Sequence, residues 1–92
     1  MIKGFRSKDT QALFMGRHPR RYRAIEAVAV RKLTQLDTAA SMEFLRSPPG
    51  NRLEALKGDR AGQYSIRIND RWRLCFRWVN GDALDVEIVD YH

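Results

Sequence analysis

Alternation of apolar and polar residues dominates the second half of the chain and predicts antiparallel strands. Every second residue is apolar in three consecutive runs, 64–68, 72–78 and 84–88. A period of two places the apolar side chains on one face of a strand and the polar side chains on the other. The three runs therefore predict a meander of strands with one apolar face and one polar face.

The first two runs predict a hairpin whose turn consists of the three residues 69–71. This turn brings the apolar residues of both runs onto one face, whereas a two-residue turn would separate them. The same register sets Arg67 across from Arg73, and facing like charges destabilise a hairpin by about a few tenths of a kcal/mol. We expect a fold to tolerate that repulsion where an anion binds. The predicted apolar pairs are Tyr64 with Phe76, Ile66 with Leu74, and Ile68 with Trp72.

The second hairpin is expected to turn through three residues as well, 80–82. Arg77 would then face Asp85, which can neutralise it, whereas Arg73 would have no acidic partner. Arg67 and Arg73 would thus remain available on an open, basic and concave sheet face. The other predicted pairs are Trp78 with Leu84, Phe76 with Val86, Leu74 with Ile88, Cys75 with Glu87, and Arg73 with Val89.

Helical spacing prevails in the first half of the chain. Residues 1–5 predict a short opening strand, after which Ser7 is placed to cap a helix. Residues 17–21 concentrate charge around a proline and predict an exposed loop. From 22 to 36 apolar residues recur at intervals of three and four, which predicts the main amphipathic helix.

A second short helix is expected after the main one, capped by Asp37 or Thr38 and ended by the proline pair at 48–49. The residues beyond it predict strands, and the glycine-bracketed turn at 57–62 would lift Lys57 and Arg60 beside the arginine face. The expected architecture is a single α+β domain, residues 1–92, with N-terminal helices packed on one face of a small twisted antiparallel sheet.

Composition adds a polyanion partner to this description. The 92 residues carry a net charge of +6, and nucleic acid is the usual partner of a basic domain, although a basic surface also serves solubility. The lone Cys75 excludes a disulfide within the chain and a thiolate-rich metal site, and its position predicts a buried cysteine. No apolar run approaches the ~20 residues of a spanning helix, so we expect a cytoplasmic protein without membrane contact.

Four motifs, taken together and in order, resemble the HigB branch of the RelE/ParE toxin superfamily. The likeness covers the whole chain and implies the RelE-like microbial ribonuclease fold. The motifs are Leu56-Lys57-Gly58-Asp59-Arg60, Tyr64-Ser65-Ile66, Asn69-Asp70-Arg71-Trp72-Arg73 and the final Asp90-Tyr91-His92.

The resemblance implies the toxin of a type II toxin-antitoxin pair. Such a toxin would cleave mRNA in the ribosomal A site by attack of a 2′-hydroxyl, without a metal or another cofactor. Its implied partners are the ribosome carrying mRNA and a helix-turn-helix antitoxin, with operator DNA bound only through the antitoxin complex.

The residues that match the family's functional positions combine phosphate binding with proton transfer. Lys57 and Arg73 would hold the scissile phosphate, since arginine offers a two-pronged set of donors. His92 is the natural proton-transfer group, Tyr91 could stack on a base or donate a proton, and Asp90 could orient His92 or activate the nucleophile. The polar sheet face adds Arg60, Arg67 and Arg71 as candidate RNA-binding residues.

One position departs from the family pattern and leaves the chemistry open. Some HigB proteins have histidine where this chain has Glu54, so the task of that imidazole falls to Glu54, to another group or to none. Two other classes also remain possible at this point. One is a ParE-like toxin that inhibits a protein target without cutting RNA, and the other is a small nucleic-acid-binding module.

Overall fold

A four-stranded antiparallel sheet and three α-helices make up residues 1–90, the part of the chain that the computed structural model describes. The strands lie in chain order, each antiparallel to the next: β1 Glu54–Ala55, β2 Gln63–Arg67, β3 Trp72–Val79 and β4 Asp82–Asp90. The α-helices are α1 Lys8–Phe14, α2 Glu26–Thr38 and α3 Met42–Arg46. Short 3₁₀ helices span Arg20–Ile25, Pro49–Asn51 and Gly58–Arg60. The predicted α+β fold is confirmed, while the predictions for Tyr91 and His92 lie outside the described residues.

The helical half follows the predicted periodicity, with its ends shifted. Ser7 caps α1 as predicted, because its hydroxyl accepts a hydrogen bond of 3.1 Å from the Thr10 amide. The main amphipathic segment begins as the 3₁₀ helix Arg20–Ile25 and continues as α2, so the predicted loop is limited to residues 17–19. Its buried positions are Tyr22, Ile25, Ala29, Leu33 and Leu36.

The predicted cap at Asp37 or Thr38 is wrong, because α2 continues through both residues and α3 starts only after Ser41. The Asp37 carboxylate instead accepts a 2.9 Å hydrogen bond from the Ile2 amide. The Thr38 hydroxyl donates to the Thr34 carbonyl one turn back, at 2.9 Å. Both polar side chains are thus used by the helix and by the start of the chain, and neither begins a new helix.

The N-terminal residues form an extended segment that lies parallel to β4. Single bridges join Ile2 to Ala83 and Phe5 to Val86. Four main-chain hydrogen bonds of 2.8–3.1 Å connect residues 1–6 with Ala83 and Val86. The predicted opening strand is therefore present only as isolated bridges, and it covers the outer edge of β4 that would otherwise be exposed.

The register of the first hairpin matches the prediction. Strands β2 and β3 pair Tyr64 with Phe76, Ile66 with Leu74, and Arg67 with Arg73. The Asn69 side-chain oxygen fixes the turn, since it accepts hydrogen bonds from the Arg71 and Trp72 amides at 2.9 and 2.8 Å.

The three-residue turn predicted for the second hairpin is wrong. Val79 faces Asp82, so the loop consists of two residues, Asn80 and Gly81, whose φ angles are 51° and 84°. Positive φ at both positions is what a type I′ turn requires, and Asn-Gly is its preferred sequence. The consequence is that Trp78 pairs with Ala83 and Arg77 with Leu84.

A β-bulge restores the apolar face that the shorter turn would have displaced. Between the pairs Cys75–Glu87 and Arg77–Leu84, the single Phe76 of β3 faces two residues of β4, Asp85 and Val86. Asp85 adopts a φ of 52°, a conformation that aspartate tolerates better than most residues. Beyond the bulge the predicted pairs of Leu74 with Ile88, Cys75 with Glu87 and Arg73 with Val89 are confirmed. Leu84, predicted to be buried, is only half-buried, and Ala83 occupies the core position.

The core lies between the helices and the apolar face of the sheet. It contains the alternating residues of the strands, among them Ile66, Leu74, Phe76, Val86 and Ile88. The buried Thr10 hydroxyl links the two layers, because it lies 3.2 Å from the Tyr22 hydroxyl and accepts a 3.0 Å hydrogen bond from the Ile88 amide. Among residues 1–90 no helix has the length and apolar character needed to cross a membrane.

Candidate active site

Arg73 is the most strongly anchored of the predicted phosphate-binding residues. Its Nε donates to the Ser65 hydroxyl at 2.7 Å, and its NH2 group donates to the Arg52 carbonyl at 2.7 Å. The same NH2 group lies 3.6 Å from a carboxylate oxygen of Glu54. Only 11% of the Arg73 side chain is exposed. The prediction that Arg73 lacks an acidic partner is therefore wrong, because β1 brings Glu54 beside it.

Arg60 and Glu87 form a second ion pair on the same face of the sheet. The NH1 group of Arg60 lies 3.1 Å from the Glu87 carboxylate and 3.0 Å from the Gln63 side-chain oxygen. The predicted open basic face is thus partly covered: Ser65 and Cys75 at its centre are buried. The reason is that the segment 52–60 runs beside β2, forming β1 and the turn after it, and its Arg60 side chain reaches Glu87 on β4. The strand pattern alone does not indicate this contact.

Cys75 lies among these two ion pairs. Burial raises the pKa of the Cys75 thiol, and Glu87 and Glu54 raise it further, while Arg60 and Arg73 oppose the shift. All four charged groups therefore act on the centre of this face. The predicted burial of Cys75 is confirmed, and the raised pKa makes it a poor nucleophile at neutral pH.

Arg67 lies across from Arg73, as predicted, but is not left unpaired. Its NH2 group binds the carboxylate of Asp70 in the hairpin turn. Asp70 is almost fully exposed, so this pair is accessible to solvent and to a competing anion. The two facing arginines thus bind different partners, Arg73 towards β1 and Arg67 towards the turn, which reduces their mutual repulsion.

Arg71 holds the end of β4 through Asp90. Its Nε and NH2 groups donate to both carboxylate oxygens of Asp90, at distances of 2.7–3.0 Å. This two-pronged contact raises the pKa of the Arg71 guanidinium, chiefly through the hydrogen bond to Asp90. Arg71 also lies 5.7 Å from the centre of the Trp72 ring, which packs edge-on against Tyr22. Asp90 is therefore tied to the first hairpin, opposite Trp72 in the register.

Lys57 projects from the loop that precedes the 3₁₀ helix Gly58–Arg60 and is exposed. Within residues 1–90 its ammonium group makes no hydrogen bond or ion pair. It is the one predicted catalytic residue in that range whose cation has no protein partner. Tyr91 and His92, also predicted to be catalytic, lie outside the described residues.

Two groups that hold Arg73 were not identified from the sequence, namely the Ser65 hydroxyl and the Arg52 carbonyl. Ser65 occupies the polar phase of β2, and its position beside Arg73 follows from the predicted register. Arg52 is 21 residues away from Arg73 along the chain, and its left-handed backbone, φ 45°, leaves no sequence signal. In residues 1–90 no group of three or more histidine, cysteine or carboxylate side chains is placed to bind a metal.

Solved structures with the same fold show the class of protein. The chain superposes on the YoeB-YefM toxin-antitoxin complex from Staphylococcus aureus with a TM-score of 0.63 and 18% identity, covering 100% of this chain and 98% of that one. It superposes on a point mutant of YafQ from E. coli with a TM-score of 0.63 and 13% identity, covering 98% of this chain and 93% of that one. At such identities the likeness concerns the fold, which is that of the RelE-like toxins.

The particular family follows from the sequence comparisons. The model of RelE-like toxins of the type II toxin-antitoxin system HigB matches residues 4–92, and the chain belongs to this HigB-like toxin family. It is 34% identical over 93 residues to Endoribonuclease HigB of Proteus vulgaris, covering 100% of both chains. It is 50% identical over 62 residues to Toxin HigB-1 of Vibrio cholerae, covering 67% of this chain and 65% of that toxin.

Proposed function

We propose that this chain is a ribosome-dependent endoribonuclease that cleaves mRNA in the ribosomal A site. The observation that carries the proposal is the arrangement of Arg73, a nearly buried guanidinium held in one orientation by Ser65 and the Arg52 carbonyl. A cation held in a fixed orientation stabilises developing phosphate charge without first having to reorganise. The full-length similarity to Endoribonuclease HigB of Proteus vulgaris supports the same activity.

In the proposed reaction a 2′-hydroxyl attacks the adjacent phosphorus, and the 5′-oxygen leaves with a proton. Arg73 and Lys57 would bind the scissile phosphate, Arg73 in a fixed position and Lys57 from an exposed loop. His92 would transfer the proton to the leaving oxygen, and Tyr91 would stack on a base. Glu54 lies 3.6 Å from Arg73, nearer to that guanidinium than any other carboxylate of residues 1–90, and is a candidate to accept the proton of the 2′-hydroxyl.

The remaining arginines enter the proposal as ion pairs. Arg60, Arg67 and Arg71 are paired with Glu87, Asp70 and Asp90 in the free protein. An RNA phosphate would have to displace a carboxylate at each of them, and the exposed Asp70 offers the easiest exchange. We therefore propose that Arg67 exchanges its carboxylate for an RNA phosphate, while Arg71 stays bound to Asp90. Asp90 would act through its ion pair with Arg71 as well as through its place in the chain next to Tyr91.

Dependence on the ribosome follows from the small number of catalytic groups. Five candidate residues gain most from an mRNA already held in a bent and exposed geometry, because positioning of the reactants supplies a large part of the rate. The proposed place of action is the cytoplasm. A helix-turn-helix antitoxin is the proposed inhibitory partner, with operator DNA bound only through that complex. The type II toxin-antitoxin family description supports this partner.

The test is to add the purified protein to a translating extract and to map the 5′ ends of the mRNA. Cuts within codons at the A site are expected, whereas naked RNA should remain intact. Arg73→Ala should abolish the cuts. Arg77→Ala is the matched control, because Arg77 lies on the same strand and is paired with Asp85 at 3.6 Å. The cuts should persist in this variant.

Cleavage of free RNA at the same rate would refute ribosome dependence. Growth arrest without new mRNA ends would instead indicate a ParE-like toxin that acts on a protein. Co-purification with the product of a neighbouring antitoxin gene tests the partner, and a toxin that stays active in its presence would contradict that part of the proposal.

A further inference from the structure

Asn51 is a fully buried polar residue next to the segment that holds Arg73. Its side-chain oxygen accepts a hydrogen bond from the Lys32 ammonium group of α2. Its side-chain nitrogen donates to the Gln35 side-chain oxygen at 3.2 Å and to the Leu45 carbonyl at 3.0 Å. The amide group thus connects α2, the end of α3 and the 3₁₀ helix Pro49–Asn51. A buried, fully bonded amide of this kind fixes one local arrangement, because any other would leave polar groups unpaired.

The residue after Asn51 is the one whose carbonyl binds Arg73. Arg52 adopts a left-handed conformation with φ 45° and ψ 56°, which arginine rarely occupies without support from its surroundings. This conformation directs the carbonyl to the Arg73 NH2 group at 2.7 Å. Two residues later Glu54 pairs with Ser65 in the sheet and lies beside the same guanidinium. The bonds of the Asn51 side chain thus hold the loop at the residue directly before the Arg52 carbonyl and Glu54, the two groups of this loop that contact Arg73.

One edge of the Arg73 guanidinium remains open. Its Nε and NH2 groups are bonded to Ser65 and Arg52, while within residues 1–90 its NH1 group donates to no acceptor. No buried side-chain nitrogen in that range lacks a partner, so NH1 reaches solvent. The loop side of the guanidinium is thus bound by the protein and the NH1 side is presented outwards, which suits a phosphate oxygen.

We propose that Asn51 is a positioning residue that orients Arg73 towards the phosphate of the RNA through the Arg52 carbonyl. The inference rests on the proposed function and adds to it a residue that touches neither RNA nor the reacting atoms. The physical reason is that the Arg52 carbonyl and Glu54 belong to one loop. A small shift of this loop would move both contacts together and would reorient the Arg73 guanidinium that they hold. Misplacement of a catalytic group by about 1 Å can cost up to about 100-fold in rate.

The decisive experiment is a double-mutant cycle between Asn51→Asp and Arg73→Lys, measured by mRNA cleavage on ribosomes. Asn51→Asp keeps an acceptor for Lys32 but loses both donors, and we expect kcat to fall about tenfold with unchanged ribosome affinity. In the Arg73→Lys background the same substitution should have no further effect, because the geometry that it disturbs is already lost. Lys32→Met is a milder variant that removes one of the three side-chain contacts, with an expected loss of about threefold in kcat.

Thr10→Val is the matched control. Thr10 is also fully buried and joins two layers through its side chain, but it contacts Tyr22 and Ile88 and not the Arg73 loop. It should lower the melting temperature and leave kcat unchanged at temperatures where the protein is folded. Losses at Asn51 and Arg73 that multiply, or a folded Asn51→Asp or Lys32→Met protein that cuts at the wild-type rate, would overturn the proposal.

A measurement on the free protein separates this inference from the proposed function. The Nε–H group of Arg73 is bonded to the buried Ser65 and should give a slowly exchanging signal in ¹⁵N NMR spectra. Asn51→Asp and Lys32→Met should shift that signal and speed its exchange, whereas Thr10→Val should not. If the wild-type chain cuts no mRNA, the proposed function fails, and this signal still decides whether Asn51 holds Arg73. An unchanged signal in both loop variants would refute the inference by itself.

Discussion

Replacement of Arg73 by lysine should reveal how much the anchored guanidinium contributes to stability. Lysine keeps the positive charge but has a single terminal nitrogen, so it cannot bond to the Ser65 hydroxyl and the Arg52 carbonyl as the two arginine nitrogens do, each at 2.7 Å. The Ser65 hydroxyl lies in a fully buried residue and would lose the donor that it now has. The substitution therefore leaves a buried acceptor without its partner.

The expected loss can be worked from these contacts. A hydrogen bond to a charged group contributes roughly 1.5–3 kcal/mol. The lysine ammonium group should keep the contact with the Arg52 carbonyl and lose the one with the Ser65 hydroxyl. The predicted decrease in unfolding free energy is therefore about 2 kcal/mol, which for a domain of this size lowers the melting temperature by about 10 °C. Glu54 adds little to this figure, because it is half exposed and 3.6 Å away, a pairing that solvent screens.

Arg77→Lys is the matched control, an identical substitution four residues further along the same strand. Arg77 is 52% exposed and lies 3.6 Å from the Asp85 carboxylate, so lysine should keep most of that weak attraction. We expect a change of less than about 0.5 kcal/mol. Thermal melts and urea titrations of both variants measure the difference. Melting temperatures within about 2 °C of each other would refute the reasoning that Arg73 is structurally anchored.

Three further outcomes are expected. Gly81→Ala should lower the unfolding free energy by about 1 kcal/mol, because residue 81 has a φ of 84°. Gly50→Ala is the control and should be neutral, because Gly50 lies in an open position without positive φ. Equal urea midpoints for the two variants would contradict this prediction. Cys75 is buried and burial raises the pKa of its thiol, so a reagent can neither reach it nor find it ionised in the folded protein. At pH 8 it should therefore react only as fast as the protein opens. The stability that the neutral Cys75 thiol confers is fully present below the ordinary thiol pKa of ~8.5 and is lost as the pH rises through the raised pKa of the folded protein. Rapid labelling of the folded protein would be inconsistent with burial. Arg71→Ala should reduce mRNA cleavage by releasing Asp90, without altering the salt dependence of ribosome binding; a weaker salt dependence would show instead that Arg71 contacts phosphate.

The chain's own patterning determined the fold class and the first hairpin. Alternation at period two places Ile66 and Leu74 on one face whatever else the chain does, and burial of that face then dictates the register that sets Arg67 across from Arg73. Apolar spacing likewise located the main helix, because a stripe at intervals of three and four must pack against something. The motifs that resembled the HigB branch, spread over the whole chain, led to the family that the comparisons show.

Only the tertiary structure showed the full geometry of the second hairpin and the partners of Arg73. A two-residue Asn-Gly turn with a bulge at Asp85 and a three-residue turn without one both bury Leu74 and Ile88. Asn-Gly by itself favours the two-residue turn, but the bulge that makes this turn compatible with the buried face is visible only in the structure. The partners of Arg73 are the second case, since Arg52 lies 21 residues away in the chain and only the folded structure brings it and Glu54 beside the guanidinium. Strand patterns report which face a side chain occupies. They do not report which distant loop covers that face, because contacts between segments far apart in the chain depend on how the whole core packs.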